Sequence, residues 1–468
     1  MILRRLLRIG IVAACHLVAC SPTVQPRPNV VLIVVDTLRA DRLGTYGGMR
    51  GLTPFVDSLA DRAYVFHQAY AQSSWTNPSV ASLLTSRFPS QHGVVKFESR
   101  LADSEITVSE VLGERGYACG AFLANGLLAR QFGFAQGFDE FYALWPVSPQ
   151  PPQTVEQKYR ADAVNTLAFT WLDRVAADRG KPFFLYLHYI EPHPPYSPPD
   201  AILDRLLHGR PRPDLGEISR AMFFAQVAPP DASSLQQIEN VYDAEVMSLD
   251  GGLRELFSGL DARGFLANAF VAITADHGEE FDDHGLVGHG TTLYNELIRV
   301  PLLVRLPGQT RRVDVEDVVS LIDVAPTILS TVGIRRPPAF EGRVLPLSSR
   351  WLPSWARLWQ RDGTSTPAFS ELIIPERAEA NNVRPHERAL ILGSRKLIVG
   401  PAGEKELYDL ATDPGERRAS PPPDPTRTTL DGVLAQFGKR MAREAQAGAS
   451  VPLDEEAQRR LKALGYVR

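Results

Sequence analysis

The run NVVLIVVD, residues 29–36, decides how the chain folds. Six apolar residues, Val30 to Val35, follow one another without a polar interruption, and most of them are β-branched. This pattern is typical of a strand that is covered on both faces, as in a parallel sheet between helices. The run ends on an acid, Asp36, and open α/β sheets bind their ligands beyond the carboxyl ends of the strands.

Strands and helices continue to alternate after this run. Residues 107–116, TVSEVLGERG, begin with a capping-box pattern, Thr107 to Glu110, and precede the predicted strand YACGAFLA (117–124). Further along, a helical repeat (Val164, Leu167, Trp171, Val175), the strand PFFLYLH (182–188), a helix within residues 242–260 and the strand AFVAITAD (269–276) follow in order. We therefore predict an α/β fold with a mostly parallel sheet sandwiched by helices.

The pattern changes after RRPPAF, residues 335–340. Short strand-like runs then predominate, namely TPAFSELI (366–373), RALILGS (388–394), KLIVG (396–400) and ELYDL (406–410). A helix follows with Leu430, Val433, Leu434, Phe437 and Met441 on one face. We predict an α/β domain over residues 29–340 and a C-terminal subdomain, residues 341–468, built on a small antiparallel sheet.

The first residues have the layout of a secretory signal peptide, with Arg4, Arg5 and Arg8 before a short apolar stretch. LVAC, residues 17–20, resembles the bacterial lipobox, which implies cleavage after residue 19 and lipid on Cys20. Residues 20–28 are rich in proline and predict a tether. We therefore expect a protein of the bacterial cell envelope, lipid-anchored to a membrane and facing the periplasm or the cell surface.

The cysteine count and the net charge bear on disulfide bonds and on binding partners. Cys15 leaves with the predicted signal and Cys20 carries the lipid, so Cys119 has no partner and no disulfide is expected within the chain. The formal net charge is −4, and removal of the signal makes it more negative. This balance argues against nucleic acid as a partner.

Metal-type side chains gather at the predicted strand ends. Asp36 ends one strand, His188 and His193 lie in and just after another, and Asp276 with His277 end a third. His284 and His289 follow shortly after. Carboxylates and imidazoles at one sheet edge favour Zn²⁺ or Mn²⁺, or Ca²⁺ if carboxylates dominate. The acidic run EEFDD, residues 279–283, is explained equally well by a cation site or by a solvated turn.

Thr76 lies where an apolar helix begins, in SSWTNPSVASLLTS, residues 73–86. Pro78 suits the first turn of a helix, so Thr76 is placed among unpaired backbone N–H groups that favour an anion. A threonine hydroxyl beside a metal held by Asp36, Asp276 and His277 is able to act as a nucleophile. Considered alone, Thr76 is better explained as a helix cap, because threonine caps are common.

Seven stretches together resemble the sulfatase family of the alkaline-phosphatase superfamily. They are NVVLIVVDTLRADRLGTYG (29–47), TPFVDSLADRAYVFHQAYAQSSWTNPSVASLLTSRFPSQHGV (53–94), PFFLYLHYIEPHPPY (182–196), AFVAITADHGEEFDDHG (269–285), LYNELIRVPLLVRLPG (293–308), VSLIDVAPTILSTVG (319–333) and KELYDLATDPGE (405–416). The resemblance implies a catalytic α/β domain followed by a smaller antiparallel-sheet subdomain, in agreement with the pattern.

The chain departs from the family's site in several places. Sulfatases carry Cys or Ser at the position of Thr76 and oxidise it to formylglycine, whereas the Thr76 methyl group prevents formation of an aldehyde. Val80 replaces an arginine and Thr37 the second acid of an aspartate pair. Near position 121 the family has a lysine that follows GY; this chain has Ala121 there. His289 corresponds roughly to a later lysine, and His277 stands in place of an asparagine.

The remaining site is similar to another branch of the superfamily, the phosphodiesterases and phosphoethanolamine transferases, which use a threonine nucleophile on zinc. That similarity implies a metal held by Asp36, Thr76, Asp276 and His277. It also implies a second ion on His193, His289 and a further carboxylate; without that ion, these histidines would serve as general acid or contact the substrate. We expect one or two divalent ions, with Zn²⁺ preferred over Mn²⁺ or Ca²⁺.

The leading hypothesis is a metal-dependent hydrolase of sulfate or phosphate esters that uses Thr76 as its nucleophile. The substrate is expected to be a small-molecule, glycan or lipid ester. One alternative is a transferase that moves a phosphoethanolamine-type group onto an envelope glycan or lipid. A second alternative is a sulfatase-like envelope lipoprotein without catalytic activity.

Overall fold

The structure, a computed structural model, describes residues 27–144, 160–177, 181–224, 230–348, 352–353, 360, 366–373, 386–420, 425–452, 455 and 458. The predicted signal peptide, Cys20 and nearly all of the tether lie outside these residues. Their roles therefore stay predictions, as does the predicted domain boundary near Phe340.

Sixteen strands are present in the described part of the chain. They are β1 (Asn29–Val35), β2 (Tyr64–Tyr70), β3 (Ser99–Arg100), β4 (Ala118–Leu123), β5 (Glu140–Ala143), β6 (Phe183–Tyr189), β7 (Ala269–Ala275), β8 (Glu280–Phe281), β9 (Val287–Gly288), β10 (Leu302–Arg305), β11 (Val313–Ser320), β12 (Ala368–Leu372), β13 (Glu387–Leu392), β14 (Arg395–Val399), β15 (Lys405–Asp409) and β16 (Ala449–Ser450).

Eleven α-helices accompany the strands over the same described residues. They are α1 (Pro54–Ala60), α2 (Thr76–Thr85), α3 (Pro89–His92), α4 (Val108–Glu114), α5 (Ala161–Ala177), α6 (Asp200–Leu207), α7 (Leu215–Phe224), α8 (Ala232–Ala262), α9 (Asn295–Ile298), α10 (Val324–Thr331) and α11 (Pro425–Glu444). Among them, no helix combines the length and the apolar character needed to cross a bilayer.

The main sheet has eight strands in the order β11-β2-β10-β7-β1-β6-β4-β5. β1 is parallel to both of its neighbours, β6 and β7, and β4 is parallel to β5 and β6. β10 is antiparallel to both β7 and β2, while β11 is parallel to β2. Seven strands therefore run in one direction, and the predicted mostly parallel sheet is confirmed.

The central strand shows why the opening run forms this sheet. Every residue of β1 from Val30 to Val35 is at most 1% exposed. Because successive side chains of a strand point to opposite faces, this burial means that both faces of β1 are covered. The predicted capping box is also confirmed, since the Thr107 hydroxyl accepts the N–H of Glu110 at the start of α4.

The C-terminal sheet has the antiparallel order β12-β13-β14-β15, as expected from its short strand runs. Helix α11 packs on it through the predicted apolar face, in which four side chains are buried and Val433 lies against them: Leu430, Leu434, Phe437 and Met441. Phe88 and Ile322 from the α/β domain belong to the same apolar cluster. The small subdomain is thus packed against the larger domain.

Candidate active site

The candidate residues lie at the ends of neighbouring strands, at one edge of the main sheet. Asp36 follows β1, Asp276 and His277 follow β7, and His188 is the second-last residue of β6. Since β7, β1 and β6 are adjacent and parallel, their carboxyl ends meet at the same edge. All four side chains are fully buried.

Helix α2 adds Thr76 to this edge. Trp75 is the N-cap residue and Thr76 is the first residue of the helix, with Pro78 in its first turn. The Thr76 hydroxyl oxygen lies 3.3 Å from His277 Nε2, and the Ser79 hydroxyl donates to the Asp276 carbonyl over 2.6 Å. The interpretation of Thr76 as a helix cap is therefore wrong, because Trp75 is the N-cap residue and the Thr76 hydroxyl contacts His277 instead.

His277 Nε2 is the centre of the arrangement. It lies 3.3 Å from Thr76 Oγ1, 3.6 Å from Asp276 Oδ2 and 3.7 Å from Asp36 Oδ1. On the other side of the ring, Nδ1 lies 2.9 Å from the carbonyl oxygen of Gly278. A carbonyl oxygen only accepts, so Nδ1 carries the proton and the Nε2 lone pair faces the three oxygens.

This donor set fits a divalent metal ion. Asp36 Oδ1 and Asp276 Oδ2 are buried and have no hydrogen-bond partner within the described residues. Four ligands placed 2.0–2.2 Å from a tetrahedral zinc ion are about 3.3–3.6 Å apart. The three oxygens lie 3.3–3.7 Å from His277 Nε2, close to that spacing. Two carboxylates, one imidazole and one hydroxyl are donors that zinc accepts.

The outer oxygen of each carboxylate is held by the protein. Asp36 Oδ2 accepts the Asn125 side-chain N–H at 2.6 Å and faces His188 Nε2 at 3.4 Å. Asp276 Oδ1 accepts the backbone N–H of His277 at 2.9 Å and that of Thr37 at 3.3 Å. Each carboxylate is therefore oriented by one oxygen while the other faces His277, as metal ligands are oriented by their outer partners.

Burial and charge set the protonation of the three groups. Burial alone would raise the pKa of Asp36, but the charge of His193 and the hydrogen bond from His188 outweigh it and hold that pKa below its usual range. Burial and the charge of Asp36 raise the pKa of Asp276 well above its usual range. Burial, together with His289, lowers the pKa of His277 well below its usual value, so this imidazole is neutral.

His193 and His289 lie beside His277: the His289 ring contacts that of His277, and the His193 ring contacts that of His289. The ring centroids of His193 and His289 are 4.9 Å apart, and those of His277 and His289 are 4.7 Å apart. His289 Nδ1 lies 2.9 Å from Glu279 Oε1, and His193 Nδ1 contacts the Pro194 carbonyl. The structure thus gathers all six predicted site residues in one place, although their individual roles remain predictions.

Several residues of the site were missed by the sequence reasoning. The sequence pattern does not point to Asn125, and it marks Glu279 only as part of an acidic run. His188 was noted at a strand end but not assigned a role, yet its ring lies within 4.8 Å of ligand atoms of Asp36 and Asp276. A polar residue just after the strand YACGAFLA was the available signal for Asn125.

Three family positions are now located in the fold. Ala121 is buried within β4, and the residue after β4 that contacts Asp36 is Asn125, four positions later. Val80 is fully buried in α2, so no cation stands one turn after Thr76. The Thr37 hydroxyl is buried without a hydrogen-bond partner in the part of the chain that the structure describes, and its backbone has a positive φ of 57°.

Comparisons with known proteins identify the family. The sulfatase family model matches residues 28–334. An ulvan-active sulfatase of Formosa agariphila is 26% identical over 72% of this chain and 69% of its own length. The multifunctional alkaline phosphatase superfamily protein PehA of Trinickia caryophylli is 27% identical over 70% of this chain and 78% of its own.

Solved structures share the fold. BT4656, in complex with its substrate D-glucosamine-2-N,6-O-disulfate, superposes with a TM-score of 0.71 at 20% identity, covering 89% of this chain and 98% of that one. The phosphonate monoester hydrolase SpPMH of Silicibacter pomeroyi gives a TM-score of 0.68 at 22% identity, covering 92% and 98%. The family model spans more than half of the chain, and the metal-type residues lie at the expected sheet edge. The chain therefore belongs to the sulfatase family, within the alkaline-phosphatase superfamily, and is a hydrolase of sulfate or phosphate esters.

Proposed function

We propose that this hydrolase cleaves monoanionic phosphoesters, with Thr76 as its nucleophile. The observation that carries the proposal is the contact of Thr76 Oγ1 with His277 Nε2, 3.3 Å apart, beside the unpartnered oxygens of Asp36 and Asp276. His277 and the two carboxylates are placed to hold a metal ion beside the hydroxyl, and such an ion is needed because a free hydroxyl is a weak nucleophile at neutral pH.

The donor set supports a divalent ion at this point, and we propose zinc, with Mn²⁺ or Ca²⁺ as alternatives. An ion held by Asp36, Asp276 and His277 would lower the pKa of the adjacent hydroxyl and stabilise negative charge on the substrate. His193 and His289, with Glu279 beside His289, are the candidates for a second ion. The pairing of His289 with Glu279 equally suits a general acid.

The charge of the site favours a substrate of low charge. The proposed ion, with a charge of +2, would offset two of the three carboxylate charges of Asp36, Asp276 and Glu279, so the site would keep one negative charge. A sulfate monoester and a phosphodiester each carry one negative charge at neutral pH, whereas a phosphate monoester carries close to two. We therefore expect monoanions to bind better than phosphate monoesters.

Between the two monoanions, Thr76 favours phosphorus. Its Cβ carries a methyl group, so it cannot become the aldehyde that sulfatases form at this position. An ester on the Thr76 oxygen must instead be released by water that attacks phosphorus or sulfur. The buried Val80 removes the arginine that the resemblance implies for sulfate esters.

The proposed reaction has two displacements. Thr76 first releases its proton to bulk water. Its oxygen then forms a bond to phosphorus as the bond to the leaving alcohol breaks, and protonated His289 gives that alcohol a proton. In the second displacement, water attacks phosphorus and gives a proton to His289, while the bond to Thr76 breaks and the Thr76 oxygen takes back a proton from the solvent. Glu279 keeps the His289 ring in place throughout, through Nδ1.

A matched set of p-nitrophenyl substrates tests the proposal: a phosphodiester, a phosphonate monoester, a phosphate monoester and a sulfate. The purified protein is stripped by a chelator and reloaded with Zn²⁺, Mn²⁺ or Ca²⁺. We expect the diester and the phosphonate to be cleaved fastest, and Thr76→Ala to lower the rate at least about 10³-fold. The control is Thr85→Ala, which lies in the same helix outside the site.

Two results would contradict the proposal. Turnover that is unchanged by Thr76→Ala and by chelation would exclude Thr76 and the metal together. A sulfate rate above that of the diester would overturn the choice of phosphorus.

A further inference from the structure

A second group of ligand-type side chains lies outside the active site. Glu280 is in β8, His284 follows it in the same loop, and Glu296 is in α9. Each offers one ligand atom, and these atoms lie within 4.8 Å of one another. Glu280 is fully buried, and the side chains of His284 and Glu296 are only 11% and 5% exposed. The alternative of a solvated turn is therefore wrong for Glu280.

We propose that Glu280, His284 and Glu296 bind a divalent transition-metal ion of the Zn²⁺ or Mn²⁺ type. Glu280 supplies the first independent observation. Its Oε1 accepts the backbone N–H groups of His284 and Leu286 at 2.9 and 3.0 Å. Its Oε2 is buried and has no partner among the described residues. A buried carboxylate oxygen without a partner is unfavourable, and a cation beside it removes that cost.

His284 supplies the second observation. Its Nε2 lies 3.1 Å from the carbonyl oxygen of Glu416, which only accepts, so Nε2 carries a proton. Its Nδ1 lies 2.6 Å from Glu296 Oε1. Histidine ligands of metals commonly donate their other N–H to a backbone carbonyl in this way. A bound ion would take the place of the proton now shared between Nδ1 and Glu296.

The donor set selects the kind of ion. One imidazole and two carboxylates are suited to zinc and related transition metals, whereas Ca²⁺ takes six to eight oxygen ligands. Glu280 and His284 belong to the loop that also carries Glu279 and His289. Glu416 comes from the segment after β15 and is held by Lys396, 2.8 Å away. The ion would therefore fasten the active-site loop to α9, while His284 contacts the C-terminal subdomain through the Glu416 carbonyl.

Metal counting tests this site. The chelator-stripped protein is titrated with Zn²⁺, passed through gel filtration, and analysed for bound metal by mass spectrometry. We expect Glu280→Gln and Glu296→Gln each to bind one equivalent fewer than the unmodified chain, with at least a tenfold loss of affinity. We also expect each to lose part of the Zn²⁺-dependent rise in Tm. Glutamine keeps the side-chain length and one accepting oxygen, and Tm in chelator reports whether each variant is folded.

The control is Glu406→Gln, which removes a nearby carboxylate that accepts from Tyr294 but lies outside the group. If the active site also holds an ion, Asp276→Asn should lose the zinc equivalent bound there and keep the one at Glu280, His284 and Glu296. The two sites are then counted separately. Unchanged metal binding in both Glu280→Gln and Glu296→Gln would overturn the inference. His284 would then only hydrogen-bond to Glu296 and to the Glu416 carbonyl. Unchanged binding in Asp276→Asn alone would contradict only the metal of the proposed function.

Discussion

The side-chain N–H of Asn125 donates to Asp36 Oδ2 over 2.6 Å, at the point where β4 and β1 both end. This bond leaves Asp36 Oδ1 to face His277 Nε2. Asn125 thus holds one candidate metal ligand in its orientation, while its own side-chain oxygen accepts the backbone N–H of Leu127.

We expect Asn125→Ala to weaken Zn²⁺ binding at the active site about 10- to 100-fold, because the orienting partner of a ligand is lost. Zn²⁺ titration followed by calorimetry measures the change. Asn165→Ala is the control, since Asn165 is also buried but bonds to Tyr189 and Gly252 away from the site. Equal zinc affinity in Asn125→Ala and the unmodified chain would show that Asp36 does not depend on Asn125.

The role of His289 is tested by varying the leaving group. If His289 protonates the departing alcohol, His289→Ala should slow esters of poorly acidic alcohols about 10²- to 10⁴-fold and esters of p-nitrophenol much less. A Brønsted plot of rate against the pKa of the leaving alcohol makes this comparison. Parallel plots for the variant and the unmodified chain would instead assign His289 to binding.

Thr76→Cys places a residue that is able to form formylglycine in the sequence SSWCNPSVAS, yet we expect no strong sulfatase activity. Val80 remains where the family has an arginine, and it is fully buried. Each charge-assisted contact to an anion is worth about 1.5–3 kcal/mol, so two or three missing contacts cost several powers of ten in rate. Co-expression with a formylglycine-generating enzyme, mass spectrometry and an aryl sulfate assay test this. Aldehyde formation with fast sulfate turnover would refute it.

Because His92 is buried, we expect the free energy of unfolding to fall in acid. His92 Nδ1 accepts the N–H of Val94, and the other ring nitrogen lies 3.0 Å from the Ser82 hydroxyl. Burial, with the charge of Arg87, lowers the pKa of His92 from 6.5 to about 3. The unfolded chain therefore takes up a proton near pH 6.5 and the folded chain only near pH 3. The stability that neutral His92 confers is complete above pH 6.5 and declines as the pH falls.

Between pH 7 and pH 5 this linkage amounts to about 2 kcal/mol of unfolding free energy. Urea denaturation at both pH values measures it, and His92→Gln should lose that part of the pH dependence. The exposed His208, replaced in the same way, is the control. A pH dependence that is the same in His92→Gln and the unmodified chain would contradict this assignment.

We also propose that the chain is anchored through Cys20. Cys20→Ala should leave the lipobox-like sequence unprocessed or without lipid, so the mature chain should lose the mass of a diacylglyceryl group. Mass spectrometry of the membrane fraction measures this directly. An unmodified Cys20 in the mature chain, or its absence from that chain, would exclude the anchor.

Local patterns were sufficient for the architecture. The uninterrupted apolar run from Val30 to Val35 forms β1 because a strand buried on both faces needs no polar alternation. Pro78 indicated the start of α2, and Thr107 with Glu110 indicated that of α4, because caps and first-turn prolines act over three or four residues. The rule that parallel strands end at one edge then placed Asp36 near Asp276 and His277.

Tertiary structure decided what the sequence left open. A threonine at position 76 suits both a helix cap and a contact with the histidine that follows β7. Only the packing of α2 beside the end of β7 shows that the contact is formed. The contact joins residues 201 positions apart. Asn125 reaches Asp36 because β4 and β1 both flank β6, an order that is not the order along the chain. The group around His284 likewise needs α9 and the segment after β15. Strand order and helix packing depend on long-range burial, which no short window of sequence contains.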